Sequence, residues 1–371
     1  MHLGFPACRM KVSWYMKTGV LILMEKLYFA SDYQEGMCEE ILERLRETNR
    51  VPVSGYGTDE YCEAAREKIR SACGLPDAEV FFISGGTQAN KTVIAAALRE
   101  YQGVISADTG HVNLHEAGAI EYTGHKVLAV PGDHGKLPAK ALREYLETFY
   151  GDANHEHMVQ PGMVYISQPT EYGTLYSKQE LTELREICDQ YELPLYADGA
   201  RLAYALACEE NDVTLCDLAH LTDVFYIGGT KCGAMIGEAI VIRNKELMPH
   251  FFTSIKQHGA LLAKGRLLGI SFGTLFTNGL YETLGTHALE MAAKLKQALR
   301  ENHWKFFFET PTNQIFVVVE NEVLKQLGES VVYSFWEKYD DTHTVIRFAT
   351  SWATPQEDVD QLIGLLRTLS A

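Results

Sequence analysis

The chain has 371 residues and a formal net charge of −16, with 46% hydrophobic and 22% charged residues, the make-up of an ordinary soluble globular protein. The length suits two domains of about 100–200 residues, or one large α/β unit with an appendage. So acidic a balance argues against a duplex nucleic-acid binder, which would carry a basic face, but it leaves a locally positive pocket for a small anion open.

Residues 1–23 stand apart from the rest of the chain. The apolar run over 20–24 has only five residues, short of the about 7–15 of a secretory core and the about 20 of a membrane span. Met24 can itself serve as a start, so 1–23 are expected to be an upstream-start artefact or an unstructured arm, with no membrane partner. Strand-like runs then alternate with helical ones. Residues 79–84 (EVFFIS) end at Gly85 and Gly86 and lead into a helix over 88–101. Further short apolar runs fall at 103–107, 126–130, 162–167, 193–197, 224–227 and 239–242, with a helix over 178–191. Seven such runs separated by helices predict strands buried on both faces of a mostly parallel sheet, hence an α/β domain.

After about residue 245 the pattern changes. A long helix near 245–280 is expected to mark a boundary, with another helix over 283–301. A smaller α+β unit comes next, with strands over 313–319 and 344–349 and a closing helix over 355–369, whose Glu357 and Asp358 suit the dipole of its first turn. The expected division is an amino-terminal segment over 24–50, a large domain over 51–275 and a small domain over 276–371. The eight cysteines, at 8, 38, 62, 73, 188, 208, 216 and 232, form no C-x-x-C pair. They predict neither a metal cage nor a disulfide framework, but reduced thiols in a cytoplasmic protein.

Ligands of open α/β sheets bind at the carboxyl ends of strands, so the residues there carry the chemistry. The first strand ends at Ser84-Gly85-Gly86-Thr87-Gln88-Ala89-Asn90. Its glycines, the Thr87 hydroxyl and the helix N-terminus make a phosphate cradle or merely a tight turn. It is neither a Walker A loop nor a dinucleotide fingerprint, which removes a nucleotide-dependent dehydrogenase. The fifth strand ends at Asp198-Gly199-Ala200-Arg201, where Asp198 is either one half of an ion pair or a ligand group. The sixth runs into Gly228-Gly229-Thr230-Lys231-Cys232-Gly233, where desolvation would make Lys231 nucleophilic, unless it is an exposed turn lysine. Taken together, a cradle, an acid at a strand end and a lysine are what pyridoxal phosphate requires: a seat for its phosphate, a carboxylate for the pyridinium nitrogen and an amine for the aldehyde. His111 could stack on such a ring or be an ordinary loop histidine. Arg347, in the apolar Val345-Ile346-Arg347-Phe348, could fork onto a substrate carboxylate or pair with an acidic side chain.

This pattern, from about Leu27 onward, resembles the pyridoxal-phosphate threonine aldolases of the β-eliminating lyase group, on the aspartate-aminotransferase-like fold type I scaffold. Ala30-Ser31-Asp32-Tyr33 resembles the family's Arg-Ser-Asp-Thr opening, Tyr56-Gly57 its Tyr-Gly turn, Gly86-Thr87 with Asn90 its Ser-Gly-Thr-x-x-Asn loop. His111 with Glu116 resembles its Ser-His-(x)4-Glu stretch, and Asp198-Gly199-Ala200-Arg201 its Asp-Gly-Ala-Arg. Lys231 matches its catalytic lysine and Arg347 its carboxy-terminal Ile-Arg.

The resemblance implies retro-aldol cleavage of threonine or allo-threonine to glycine and acetaldehyde. Lys231 would form the Schiff base, Asp198 contact the pyridine nitrogen, Gly86 and Thr87 hold the phosphate, and His111 stack on the ring. Ser31, Arg201 and Arg347 would bind the substrate carboxylate. His111, or a water between His111 and His157, would take the β-hydroxyl proton. Lys256 resembles a lysine reaching a neighbouring subunit's site, and the assembly implied is a homodimer or homotetramer. No metal is implied. Other reactions on the same cofactor, β-elimination or transamination, are the nearest alternatives, ahead of a non-catalytic cofactor-binding protein. The chain departs from the family in two places. Ser167-Gln168-Pro169-Thr170-Glu171-Tyr172-Gly173 stands where the family often has Glu-Asn-Thr-His-Asn, and Cys232 comes after the lysine where Gly is common. Both departures bear on substrate choice and stereochemistry. With Arg201, Arg347 and Lys231 gathered around a phosphate and a carboxylate, the pocket is expected to be cationic.

Overall fold

The computed structural model describes residues 26–369, together with the backbone of residues 16–17 and 20–21, a short antiparallel ribbon. The reading of residues 1–23 as an artefact or arm therefore lies almost wholly outside the described residues.

All seven apolar runs before residue 245 form strands of one sheet: β1 (Glu79–Ile83), β2 (Gln102–Ala107), β3 (Val127–Val130), β4 (Gln160–Ser167), β5 (Leu195–Asp198), β6 (Val224–Gly228) and β7 (Glu238–Ile242). Their order is β1-β7-β6-β5-β4-β2-β3. Every pairing is parallel except those of β7, which runs antiparallel between β6 and β1. The expected α/β class with a mostly parallel seven-stranded sheet is what the molecule has.

Alternate residues of each strand face opposite sides, and both sides are covered. Val80, Ile105, Val164, Ala197 and Phe225 pack on one face under α1 (Glu60–Cys73), α3 (Ala139–Gly151), α4 (Lys178–Gln190) and α6 (Arg266–Leu275). Ile83, Val104, Met163, Tyr165, Tyr196 and Tyr226 pack on the other under α2 (Gly86–Ala97) and α5 (Phe251–Gln257). Local signals set the helix ends. Asp59 caps α1 through the Cys62 N–H at 3.0 Å, and Ser177 with Glu180 forms a capping box on α4.

The expected long helix near 245–280 is corrected. That stretch holds a 3-10 turn, α5 and α6. Gly259, at φ +69, ends α5 in the left-handed region, and a Cβ on Gly265 would lie 2.5 Å from the Gly57 nitrogen. The long helix is the next one, α7 (Leu280–Glu301). Its Tyr281 hydroxyl donates to the Gly228 carbonyl at 2.8 Å, in the large core. Further along, Met291, Leu295 and Leu299 enter a second core with Ile315, Val317, Ile346, Phe348 and Leu362.

That second core lies between α7, α8 (Gln356–Leu369) and an antiparallel sheet of order β8-β9-β11-β10, made of β8 (Lys305–Phe308), β9 (Gln314–Glu320), β10 (Ser334–Lys338) and β11 (His343–Ala349). The outer strands β8 and β10 lie outside the strands expected from the sequence; they are short and at most half-buried, with Phe306, Phe307, Phe308 and Trp336 packed at the edge of the core. Leu27 and Phe29 join this core, and Leu27–Tyr28 pairs with Val331–Val332, so the chain from residue 27 lies in the small unit before entering the large one. Leu295→Ala removes a fully buried side chain from that junction. It is expected to cost about 2–5 kcal/mol, measured by urea denaturation.

Candidate active site

The carboxyl ends of the parallel strands open into one cavity, with an inner chamber of about 310 Å3 adjoining an outer chamber of about 550 Å3. Tyr33, His111, His115, Glu171, Arg201 and Lys231 line both.

Asp198, at the end of β5, is buried in the inner chamber. Its Oδ1 accepts from the Tyr226 hydroxyl at 2.5 Å and the Ala200 N–H at 2.9 Å, and its Oδ2 from the Tyr165 hydroxyl at 2.7 Å and Asn90 Nδ2 at 3.0 Å. Burial alone would raise its pKa. The charge of His111 and the bonds from Tyr226, Asn90 and Tyr165 outweigh burial and hold it below the usual carboxylate value. Asp198 is thus not the partner of Arg201, which pairs with Asp32. Asn90 is aimed by its other bonds: the Tyr196 hydroxyl donates to its Oδ1 at 2.7 Å, and its Nδ2 also reaches Glu116 Oε1 at 2.7 Å.

Glu116 Oε1 also meets His111 Nδ1 at 2.8 Å. Burial would lower the His111 pKa, but the Glu116 bond and the charges of Asp198 and Glu116 raise it. The backbone N–H of His111 donates to Glu171 Oε1 at 3.0 Å, and the Ser167 hydroxyl to the same oxygen at 2.6 Å. Glu171 Oε2 is buried without a partner, and burial raises this carboxyl too. Gly110 is required for this turn, since a Cβ there would lie 2.0 Å from Ser106 Oγ.

Lys231 lies just beyond β6. Among the described residues its Nζ has no hydrogen bond and lies 5.7 Å from the Tyr33 ring centre. Removal from water and then Arg201 push its pKa down, against the pull of Asp32, Asp198 and Glu238. Arg201 is buried and gripped by Asp32, with Nε to Oδ2 at 2.6 Å and Nη2 to Oδ1 at 3.0 Å. Asn313 Nδ2 donates to the same Oδ2 at 2.9 Å. Arg347, on β11, donates to Gln314 Oε1 at 2.9 Å and the Ala30 carbonyl at 3.0 Å. Its Nε is buried and unpartnered. Burial, then Arg201, lowers it to about 10.

The phosphate cradle is open. Helix α2 starts at Gly86 with no side chain capping it, and a Cβ on Gly85 would meet nothing within 4 Å. A Cβ on Gly86 would lie 2.9 Å from the Tyr226 hydroxyl. Free helix N–H groups, the Thr87 hydroxyl, an unbonded lysine amine and a carboxylate held ionised form a donor set that fits pyridoxal phosphate. Among the described residues no cluster suits a metal ion.

Gly86, Thr87, His111, Asp198, Arg201 and Lys231 therefore meet around the inner chamber, and Arg347 lines the outer one. Three expected residues do not join them. His157 is exposed in the turn His155–His157, just before the amino end of β4. Eight strand residues at about 3.3 Å each separate it from the carboxyl end by roughly 25 Å, so it cannot share a water with His111. Ser31 lines neither chamber, because its neighbours Asp32 and Tyr33 turn to Arg201 and to Lys231 instead. Lys256 is exposed, 4.3 Å from the centre of the Tyr56 ring, and lines neither chamber. The expected cationic pocket is also corrected: Asp198, Glu171 and Glu238 line the inner chamber beside Lys231 and Arg201. Reasoning from sequence missed His115, Glu171, Tyr226, Glu238 and Trp336. A second histidine one turn after His111, and an acid opening an otherwise apolar strand, were the available signals.

This fold and this site define a fold type I pyridoxal-phosphate enzyme. The chain belongs to the β-eliminating lyase family, whose model matches residues 29–322. It is 31% identical over 354 residues to the low specificity L-threonine aldolase of a Pseudomonas species, covering 92% of this chain and 97% of that one. It is also 31% identical over 351 residues to that of Pseudomonas aeruginosa, covering 91% and 96%. The solved Leishmania major threonine aldolase superposes with a TM-score of 0.90 at 42% identity, covering 93% of this chain and 99% of that one. Thermus thermophilus aspartate aminotransferase, at TM-score 0.68 and 15% identity over 93% of this chain and 91% of that one, shares the fold.

Asp32→Ala strands the buried Arg201 charge, and should cost about 3–5 kcal/mol in denaturant unfolding. Despite burial, Arg201 and Lys231 hold the Asp32 carboxyl far below its ordinary value. Its contribution is therefore present above about pH 4 and lost as pH falls. Asp32→Asn is expected to flatten the acid limb of stability against pH.

Proposed function

We propose that the protein cleaves a β-hydroxy-α-amino acid, threonine or allo-threonine, to glycine and acetaldehyde by a retro-aldol reaction with pyridoxal 5′-phosphate as cofactor. The observation that carries this reading is one chamber holding Lys231, with no hydrogen bond to its amine, and Asp198, held ionised by four donors. Gly86 and Thr87 would hold the cofactor phosphate, Asp198 its ring nitrogen, His111 a ring face and Lys231 its aldehyde. When bound, the cofactor supplies an electron sink for the pair released as Cα–Cβ breaks.

The chain's own residues do the rest. Asp198, ionised, keeps a proton on the ring nitrogen. The Nε of Arg347 is an uncommitted buried donor, and Arg201 keeps Nη1 after giving Nε and Nη2 to Asp32. The two arginines would hold the substrate carboxylate and so orient the Cα–Cβ bond for cleavage. Glu116 holds the proton on His111 Nδ1, leaving Nε2 to take the β-hydroxyl proton. His115, its ring centre 5.6 Å from that of His111, takes the place intended for His157. Burial, then the charges of His111 and Arg347, lowers its pKa and keeps it neutral.

The division into a cofactor domain over 51–275 and a smaller unit over 276–371 is part of this reading. So is a cytoplasmic homodimer or homotetramer. Buried free thiols at Cys38, Cys62, Cys73, Cys188, Cys208 and Cys232 support a reducing compartment. An exposed patch with Tyr56 and Phe252 supports association.

Purified protein given pyridoxal phosphate is expected to gain a visible absorption band and to release glycine and acetaldehyde from L-threonine or L-allo-threonine. Lys231→Ala is expected to lose both, and His111→Asn to lower kcat by about 10²–10⁴-fold while keeping the band. A 2-oxo acid and ammonia as products would overturn the aldolase reading.

A further inference from the structure

Glu238 opens β7, the one antiparallel strand of the large sheet, opposite Ile83 on one side and Gly228 on the other. Those two residues end β1 and β6. The first strand runs on into the Gly85–Gly86–Thr87 cradle and the second into Thr230 and Lys231. The Glu238 side chain is buried and lines the inner chamber with all of them. Its Oε2 accepts from the Gly229 N–H at 3.0 Å, and its Oε1 is 2.9 Å from the Thr230 hydroxyl, whose oxygen accepts from the Gly237 N–H at 2.9 Å.

A buried carboxylate beside a cradle for an anion is an electrostatic contradiction, because like charges in a desolvated site repel strongly. The titratable groups that face Glu238 are Lys231, Asp198, Tyr196, Tyr226, Tyr281 and Cys232. Lys231 is the one cation among them, and on this reading the cofactor aldehyde engages it. Neutralisation must then come from the carboxyl itself.

We propose that Glu238 is a cofactor-binding residue that works in its protonated form, keeping its proton near neutral pH and taking one from solvent in alkaline solution as the phosphate enters the cradle. The proton on Oε1 donates to Thr230 Oγ, and the Thr230 hydroxyl turns its own proton to the anion. Burial pushes the free carboxyl up to about 8 against the bonds from Thr230 and Gly229, so the proton is at hand near neutral pH. The inference rests on the pyridoxal-phosphate reading above.

The probe is pyridoxine 5′-phosphate, whose alcohol in place of the aldehyde leaves Lys231 without a covalent partner. Calorimetry in two buffers of different ionisation heat, from about pH 7 to about pH 9.5, reads Kd and proton uptake together. Above about pH 8 wild type is expected to take up about one proton more than Glu238→Gln, with little difference near pH 7, and its Kd is expected to rise about tenfold more per pH unit over that same alkaline range. Equal uptake and equal slopes in the two proteins would overturn the inference. Lys231→Ala with inorganic phosphate as the probe removes both other groups able to gain the proton, the lysine amine and the ring nitrogen. Uptake above about pH 8 that persists there supports Glu238, uptake that vanishes overturns it, and this arm decides the matter if Glu238→Gln does not fold. Wild type that fails to bind the probe at any pH overturns the cofactor reading as well, whereas binding without uptake overturns this inference alone.

Discussion

The centre of the molecule is arranged around keeping one buried carboxylate, Asp198, ionised. Taking a carboxylate out of water costs several kcal/mol even after relaxation, and a hydrogen bond to a charged group returns about 1.5–3 kcal/mol. Several donors are therefore needed beside the charge of His111, and Asp198 has four. They come from β4, β6, α2 and the turn after β5. This requirement accounts for the tyrosines at the heart of the large sheet. Tyr165, Tyr196 and Tyr226 are fully buried, each with its ring in an apolar layer and its hydroxyl serving Asp198 or Asn90. A phenylalanine at Tyr226 would fill the same volume and remove the bond that most needs to be there.

The same accounting of charge joins the two units. Arg201 belongs to the large unit and Asn313 to the small one, and both bind Asp32, which precedes either in the chain. Two residues earlier, the Ala30 carbonyl accepts from Arg347 of the small sheet. The segment over 30–32 is thus a strap whose Ala30 carbonyl and Asp32 carboxylate are committed between the units. It leaves Arg201 and Arg347 each with donors to spare at the chamber boundary. A strap of this kind fixes the spacing of two guanidinium groups that repel each other, Arg201 adding to the burial that chiefly lowers the pKa of Arg347.

Much of the large unit was legible because its strands are buried on both faces and so appear as short apolar runs. Direction was not legible. Nothing in Ala239–Ile240–Val241–Ile242 says that β7 runs against its neighbours, and that reversal is what brings Glu238 to the carboxyl ends of β1 and β6. The half-exposed strands β8 and β10 carry only short apolar runs, Phe306–Phe308 and Phe335–Trp336, beside charged residues, and neither was picked out. Site residues on the ends of strands, Asp198 and Lys231 above all, were recognisable because their chemistry contradicts an apolar setting. His157 failed for the converse reason: proximity to a strand in sequence says nothing about which end of it faces the ligand. Glu171 and Glu238 were passed over because an acid in a soluble protein is by default on the surface, and only burial reveals them.

The two chambers divide the proposed reaction. Everything suited to the cofactor lines the inner one and comes from the large unit, while Ser334, Phe335, Trp336, Glu337 and Arg347 of the small unit line only the outer one. The residues common to both, His111, His115, Glu171, Arg201 and Lys231 together with Tyr33, mark the junction. On the proposed reading the bond that breaks would lie at that junction, with its carboxylate toward the arginines and its β-oxygen toward His111. The β-substituent would then face Leu114 and His115 in the outer chamber. The identity of the aldehyde released would depend on the small unit and on the segment over 167–173, and the electron sink on the large one. Substrate range can change at Trp336 or Tyr172 without disturbing the bonds that keep Asp198 ionised.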